Sequence, residues 1–197
     1  MIVVAAAVVA VSLLAAPDDN RTIVEPPIAV DNPAPPTATM PELLSEASRL
    51  RLDGIGPVVV GMSLEEASAA TGQDIRIDPR TDLGRGCAHA TAEGGPEGLQ
   101  FMVVDGRIAR VEVVPGPVRT VSGVGVGSTQ AEVLAAYPDR IRVQANPYSG
   151  HLGGKDLIYV PDASSEHLSL LFEVLDGLVM RFRSGWLPAV MAPEGCS

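Results

Sequence analysis

Two seven-residue stretches of this chain echo each other. Gly61-Met62-Ser63-Leu64-Glu65-Glu66-Ala67 is matched, 66 positions on, by Gly127-Ser128-Thr129-Gln130-Ala131-Glu132-Val133. Each has the pattern of a capping box. Ser63 or Thr129 accepts from the backbone N–H three residues on, and Glu66 or Glu132 reaches back to the N–H of the cap. The glutamate also lies at the positive end of the helix dipole. Short helices are predicted over 64–71 and 130–137, stopped at equivalent positions by Gly72 and Pro138. Repetition on this scale points to one folding unit used twice.

A second echo has an offset of 71: Leu99-Gln100-Phe101-Met102-Val103-Val104-Asp105-Gly106 against Leu170-Leu171-Phe172-Glu173-Val174-Leu175-Asp176-Gly177. The flanking residues read as β-hairpins. A two-residue loop would set Phe101 against Arg110 and mix core with solvent. A three-residue loop, Val104-Asp105-Gly106, pairs Phe101 with Ala109 and Leu99 with Val111. The same register pairs Phe172 with Met180 and Leu171 with Arg181. The expectation is therefore a type I turn closed by a left-handed Gly106 or Gly177. It places Met102, Ile108, Arg110, Glu112, Leu171, Glu173, Val179, Arg181 and Arg183 on the outer sheet faces.

The 197 residues are 46% hydrophobic, enough for an ordinary core. A net charge of -10 argues against nucleic acid, because no basic stripe could neutralise phosphates. It argues equally against docking by charge on an anionic membrane. Lys155 is the single lysine beside thirteen arginines, a coding bias of the GC-rich, actinobacterial kind. Residues 1–16 are apolar and small. The run is short for a spanning helix and suits a secretory signal peptide or an N-terminal anchor, which would be the only membrane contact. Export favours a disulfide between Cys87 and Cys196, the only cysteines. Free thiols and a nucleophilic cysteine are the rival readings.

Residues 17–43 read as a Pro-rich, solvated linker, and Leu43, Leu44 and Ala47 suggest a short helix over 42–49. A first repeat is expected over 44–119 and a second over 120–197. Strands are predicted over 50–53, 57–60, 75–77, 87–91, 99–103 and 107–114 in the first. Ile141, Val143 and residues 157–160 take the matching places in the second, with residues 146–154 as a Gly-rich insertion between them.

Chemistry is sparse. His89, His151 and His167 lack the ligand spacing of zinc sites. Ser164-Ser165-Glu166-His167 has triad residue types, but neighbours in sequence do not make a triad. Gly123, Gly125 and Gly127 are followed by no Walker lysine and lack the later glycine of a dinucleotide fingerprint. Asp74, Asp78 and Asp82 are interleaved with Arg76 and Arg80 and lack calcium-loop spacing. No catalytic, cofactor or metal residue is assigned. The mixed apolar and arginine composition of the outer sheet faces is of the kind enriched at interfaces. The expected function is an exported, non-enzymatic module that binds a protein partner of the cell envelope; the plainer alternative is a solvated sheet face.

The Gly61-Met62-Ser63 helix start with Glu66, followed by strands and a Val-Asp-Gly hairpin, resembles the β-lactamase inhibitory protein-like fold. That group is similar to the small lipoproteins of the outer-membrane barrel-assembly machinery, the SmpA/OmlA family. The resemblance covers about residues 50–186. It implies export and an α+β fold of two tandem repeats, each a short capped helix packed on a small antiparallel sheet, with the sheet faces as binding surface. It also raises an alternative, inhibition of a β-lactamase or another hydrolase; an uncharacterised hydrolase using Cys87, His151 or His167 is a second alternative, separate from the resemblance. The inhibitor has a disulfide within each repeat, whereas Cys87 and Cys196 would join one repeat to the other.

Overall fold

The computed structural model describes residues 40–81, 84 and 86–196. The signal peptide or anchor expected over 1–16 and the linker up to residue 39 lie outside the described residues, as does Asp82. In chain order the elements are β1 Arg49–Arg51, β2 Gly54–Ile55, β3 Val58–Val59, α1 Leu64–Thr71, β4 Ile75–Ile77, β5 Cys87–Ala92, β6 Leu99–Val104, β7 Arg107–Val113 and β8 Arg119–Thr120. They continue with α2 Gln130–Ala136, β9 Ile141–Ala145, β10 Lys155–Tyr159, β11 Leu168–Leu175 and β12 Leu178–Trp186.

Both helices begin with a complete capping box. Ser63 Oγ accepts from the Glu66 N–H at 3.1 Å, and Glu66 Oε2 accepts from the Ser63 N–H at 2.7 Å. Thr129 and Glu132 repeat the pair at 3.1 and 2.6 Å. Gly72 closes α1 at φ 69°, a left-handed conformation in which a glycine has no Cβ to clash. Main-chain bonds then tie each helix start to the hairpin that follows it. Gly61 and Met62 bond with Ile108, and Gly127 and Ser128 bond with Val179. The 42–49 helix does not form. Ser45 and Ser48 side chains accept from the N–H groups of Ala47 and Ser45, a local alternative to helical bonding, and Arg49 enters β1.

The hairpin loops differ from the expected type I turns. Asp105 and Gly106 have φ of 49° and 77°, and Asp176 and Gly177 have φ of 51° and 79°. Positive φ at both positions makes two-residue type I′ turns, whose twist suits the flanking strands. Val104 pairs with Arg107 and Val103 with Ile108, after which a bulge shifts the register, so that Phe101 meets Val111. In the second hairpin Val174 pairs with Val179, and beyond its bulge Phe172 meets Phe182. The extra residue is the means by which a two-residue loop keeps the phenylalanines on the apolar face.

The expected α+β class is overturned. The described residues are 16% helical and 40% strand, so the fold is mostly β. The strands do not form two small sheets. They join in one antiparallel sheet of order β4-β5-β6-β7-β12-β11-β10-β9, beside a mixed four-stranded sheet of order β3-β2-β1-β8. The joint is β7 against β12, where Val113, Glu112, Val111 and Arg110 face Phe182, Arg183, Ser184 and Gly185. Two separate sheets would each leave a long inner edge of unpaired N–H and C=O groups; pairing them removes both edges. Gly185 is required here, since a Cβ would lie 2.4 Å from the Ala109 carbonyl oxygen.

One face of the large sheet carries the main core. Phe101, Phe172, Phe182, Val111 and Leu157 pack there with Ala67 of α1, Val133 of α2, and Leu50, Ile55 and Val58 of the small sheet. Phe172 and Phe182 stack with centroids 5.8 Å apart.

Candidate functional site

The opposite face of the eight-stranded sheet is charged at its centre. Side chains alternate across a strand, so residues two apart share a face. Arg110 and Glu112 of β7, Arg181 and Arg183 of β12, Leu171 and Glu173 of β11, and Met102 of β6 all stand on this second face. Ile108 and Val179, expected beside them, are buried in the main core instead. The hairpin bulges follow directly after these two residues, so they face the core, as their partners Val103 and Val174 do.

The charges form a chain of ion pairs across the joint. Arg110 Nη2 donates to Glu112 Oε2 at 2.8 Å, and Arg183 Nη1 lies 3.8 Å from Glu112 Oε1. Arg183 also pairs with Glu173, and Arg181 Nε donates to Glu173 Oε2 at 2.7 Å. Glu173 stands opposite Arg181 on β12 and opposite Asp156 on β10. Asp156 is itself held by Asn146 Nδ2 at 2.7 Å. The three arginines are thus paired with Glu112 and Glu173, and the charge of Asp156 acts on Arg181 from further away. Burial pushes the Arg110 guanidinium below its ordinary pKa, against the pull of Glu112. An arginine stays charged regardless, so each of its buried donors needs an acceptor.

Those acceptors come from the C-terminal segment, which crosses this face after Trp186. Arg110 Nη1 donates to the carbonyls of Ala189 and Ala192, both at 2.8 Å, and Arg183 Nε donates to that of Val190 at 2.6 Å. A short 3-10 turn, Ala189–Met191, and the residue that ends it, Ala192, present these carbonyls. Val190 packs on Ile158 and Leu171 in a small second apolar cluster. Tyr148, in the loop after β9, donates its O–H to Glu194. That bond raises the phenol above the usual tyrosine range. A disulfide between Cys87 and Cys196, 109 residues apart, fastens the end of the segment to β5. Arg110 and Arg183 are each 1% exposed as a result. The central arginines of the expected docking face therefore touch this chain's own C-terminal segment, not solvent. Covering of this kind is written in no motif; the penultimate cysteine was its one trace in the sequence.

What stays open on this face is an apolar groove of about 690 Å³ beside the segment. It runs between the β6–β7 hairpin and residues 186–192. Met102, Val104, Trp186, Leu187, Pro188 and Met191 supply most of its wall, and Asp105 and Arg107 stand at the hairpin end. Its volume is that of sites that take a drug-sized ligand or a few side chains. Of the residues expected to bind a partner, Met102 alone lines it, while Glu173 and Arg181 border a smaller hollow of about 340 Å³ with Tyr148 and Met180. Trp186, Leu187 and Pro188 carried no signal in the sequence, because their meeting with Met102 depends on the β7–β12 joint.

No protein family, curated protein or solved structure matches this chain.

Proposed function

We propose that this chain is an exported, non-enzymatic binding module that takes an apolar side chain of a protein partner into the groove beside its C-terminal segment. The observation that carries this reading is the groove itself. It is walled by the aliphatic and aromatic surfaces of Met102, Val104, Trp186, Leu187 and Met191, and Leu187 is 42% exposed. A hydrophobic anchor in a pocket rimmed by polar groups is the usual energetic centre of an interface. Asp105 and Arg107 supply that rim. Export fits the Cys87–Cys196 disulfide, which persists in oxidising compartments, and the apolar run at residues 1–16.

A photoreactive benzophenone placed at Leu187 tests the reading in the cell envelope of the source organism. The expected result is one crosslinked protein, joined through an apolar side chain, whose purified form shifts the emission of Trp186, the chain's only tryptophan. Binding of that protein should be lost in Leu187→Asp. Absence of a crosslinked protein, or equal binding by Leu187→Asp, would remove the groove as the site.

A further inference from the structure

We infer that the C-terminal segment is a replaceable occupant of a peptide-binding site, and that the sheet face beneath it recognises a tight peptide turn with a small aliphatic side chain set among main-chain carbonyls. The way the segment is held supports this. Its three hydrogen bonds to the buried arginines use only its backbone, at Ala189, Val190 and Ala192. Any peptide has such carbonyls. Its fully buried side-chain contribution to the underlying sheet is Val190, on Ile158 and Leu171, with the partly buried Met191 packed beside it. Arginines 1% exposed, aimed at carbonyls and already neutralised by Glu112 and Glu173, form a preorganised set of donors. Arg110 Nε, also buried, finds no acceptor among the described residues, so the present occupant leaves part of the site unused.

Release needs the covalent tie to open. Cys87 and Cys196 are both partly exposed. A dithiol reductant supplies the exchange. One of its thiolates attacks a sulfur of the Cys87–Cys196 bond and forms a mixed disulfide. Its second thiolate then resolves that intermediate. Two electrons and two protons end on Cys87 and Cys196 as thiols, and the reductant becomes a disulfide. The freed segment still competes at the high effective concentration of a tethered ligand. A peptide in trans therefore binds best when the segment has also lost its valine.

The test uses the full chain carrying Val190→Asp, reduced with dithiothreitol. The probe is a fluorescein-labelled peptide of residues 188–196 with serine in place of Cys196. Saturable binding is expected, together with a loss of about tenfold or more in affinity when the peptide itself carries Val190→Asp. The oxidised wild-type chain should not bind. Three results would each overturn the proposal: no binding to the reduced variant, equal binding of both peptides, or equal binding by the oxidised wild type. Loss of the cooperative folding transition in the reduced variant would also overturn it, because the segment would then be an indispensable part of the core. The groove shares Pro188 and Met191 with this segment, but its reading is decided separately, by the Leu187→Asp comparison in the oxidised chain.

Discussion

Glu112 and Arg183 stand directly opposite each other across the β7–β12 joint, and each also serves a second buried partner. Glu112 accepts from Arg110 on its own strand. Arg183 pairs with Glu173 on the far side. Neither can be removed without leaving a charge stranded in the interior. Glu112→Ala should therefore destabilise the fold by about 3–5 kcal/mol. Replacing Glu112 and Arg183 together by apolar residues should cost less than the sum of the single changes. Urea denaturation of the single and double variants measures both terms, and simple additivity would show that the pair does not act as a unit.

Gly185 tests the joint itself. It has φ of 140°, and an added Cβ would meet the Ala109 carbonyl oxygen at 2.4 Å and Arg110 Cα at 2.9 Å. Gly185→Ala should cost about 1–3 kcal/mol through backbone strain alone, with a further penalty if the strands part. Amide exchange should then rise at Val111 and Val113 of β7 while β4 and β9, at the outer edges, keep their wild-type rates.

The disulfide closes a loop of 109 residues. Changing Cys87 and Cys196 together to serine should lower stability by about 4–5 kcal/mol in the chain-entropy account. The fall should be read from the denaturation midpoint. Hydrogen exchange in the same variant should show residues 189–192 opening before any strand of the large sheet.

Acid should destabilise the fold in part through three carboxylates, the exposed Glu66 and Glu132 and the half-buried Asp78. Glu66 and Glu132 lie below the ordinary glutamate value of 4.5, chiefly through the bonds they accept from Ser63 and Thr129. Asp78 is held down to about 2, first by its hydrogen bond from the Arg80 side chain. On acidification the unfolded chain takes up these protons before the folded one does. Their contribution is therefore whole above the unfolded values and is lost as pH falls through the folded ones. Stability measured between about pH 5 and about pH 2 should fall less steeply in a Glu66→Gln, Glu132→Gln double variant than in wild type. Equal slopes would show that the two boxes are not titrating.

Local chemistry was legible in the sequence. Ser63 with Glu66, and Thr129 with Glu132, act three residues apart, so the helix starts could be read directly. The cysteine pair also came out as expected, because two cysteines allow a single intramolecular partner each. The hairpins were half legible. The Asp-Gly positions were right, but a bulge after each turn reversed Ile108 and Val179, and a bulge has no composition of its own. The union of the strands into one sheet was not legible at all. It depends on β7 and β12 meeting across some seventy intervening residues, and nothing local to either strand names the other. For the same reason the arginine face looked like a free surface: Arg110 and Arg183 gave no sign that residues 189–192 would come to rest on them.

The β7–β12 joint also decides how this molecule can be divided. A fragment ending near residue 119 would leave β7 as a raw margin, with Val111 and Val113 open on one side and Arg110 and Glu112 on the other. Such a margin is an invitation to stack with its own kind. The two halves are better regarded as a lock and its frame cast in one piece, which must be made, purified and stored together.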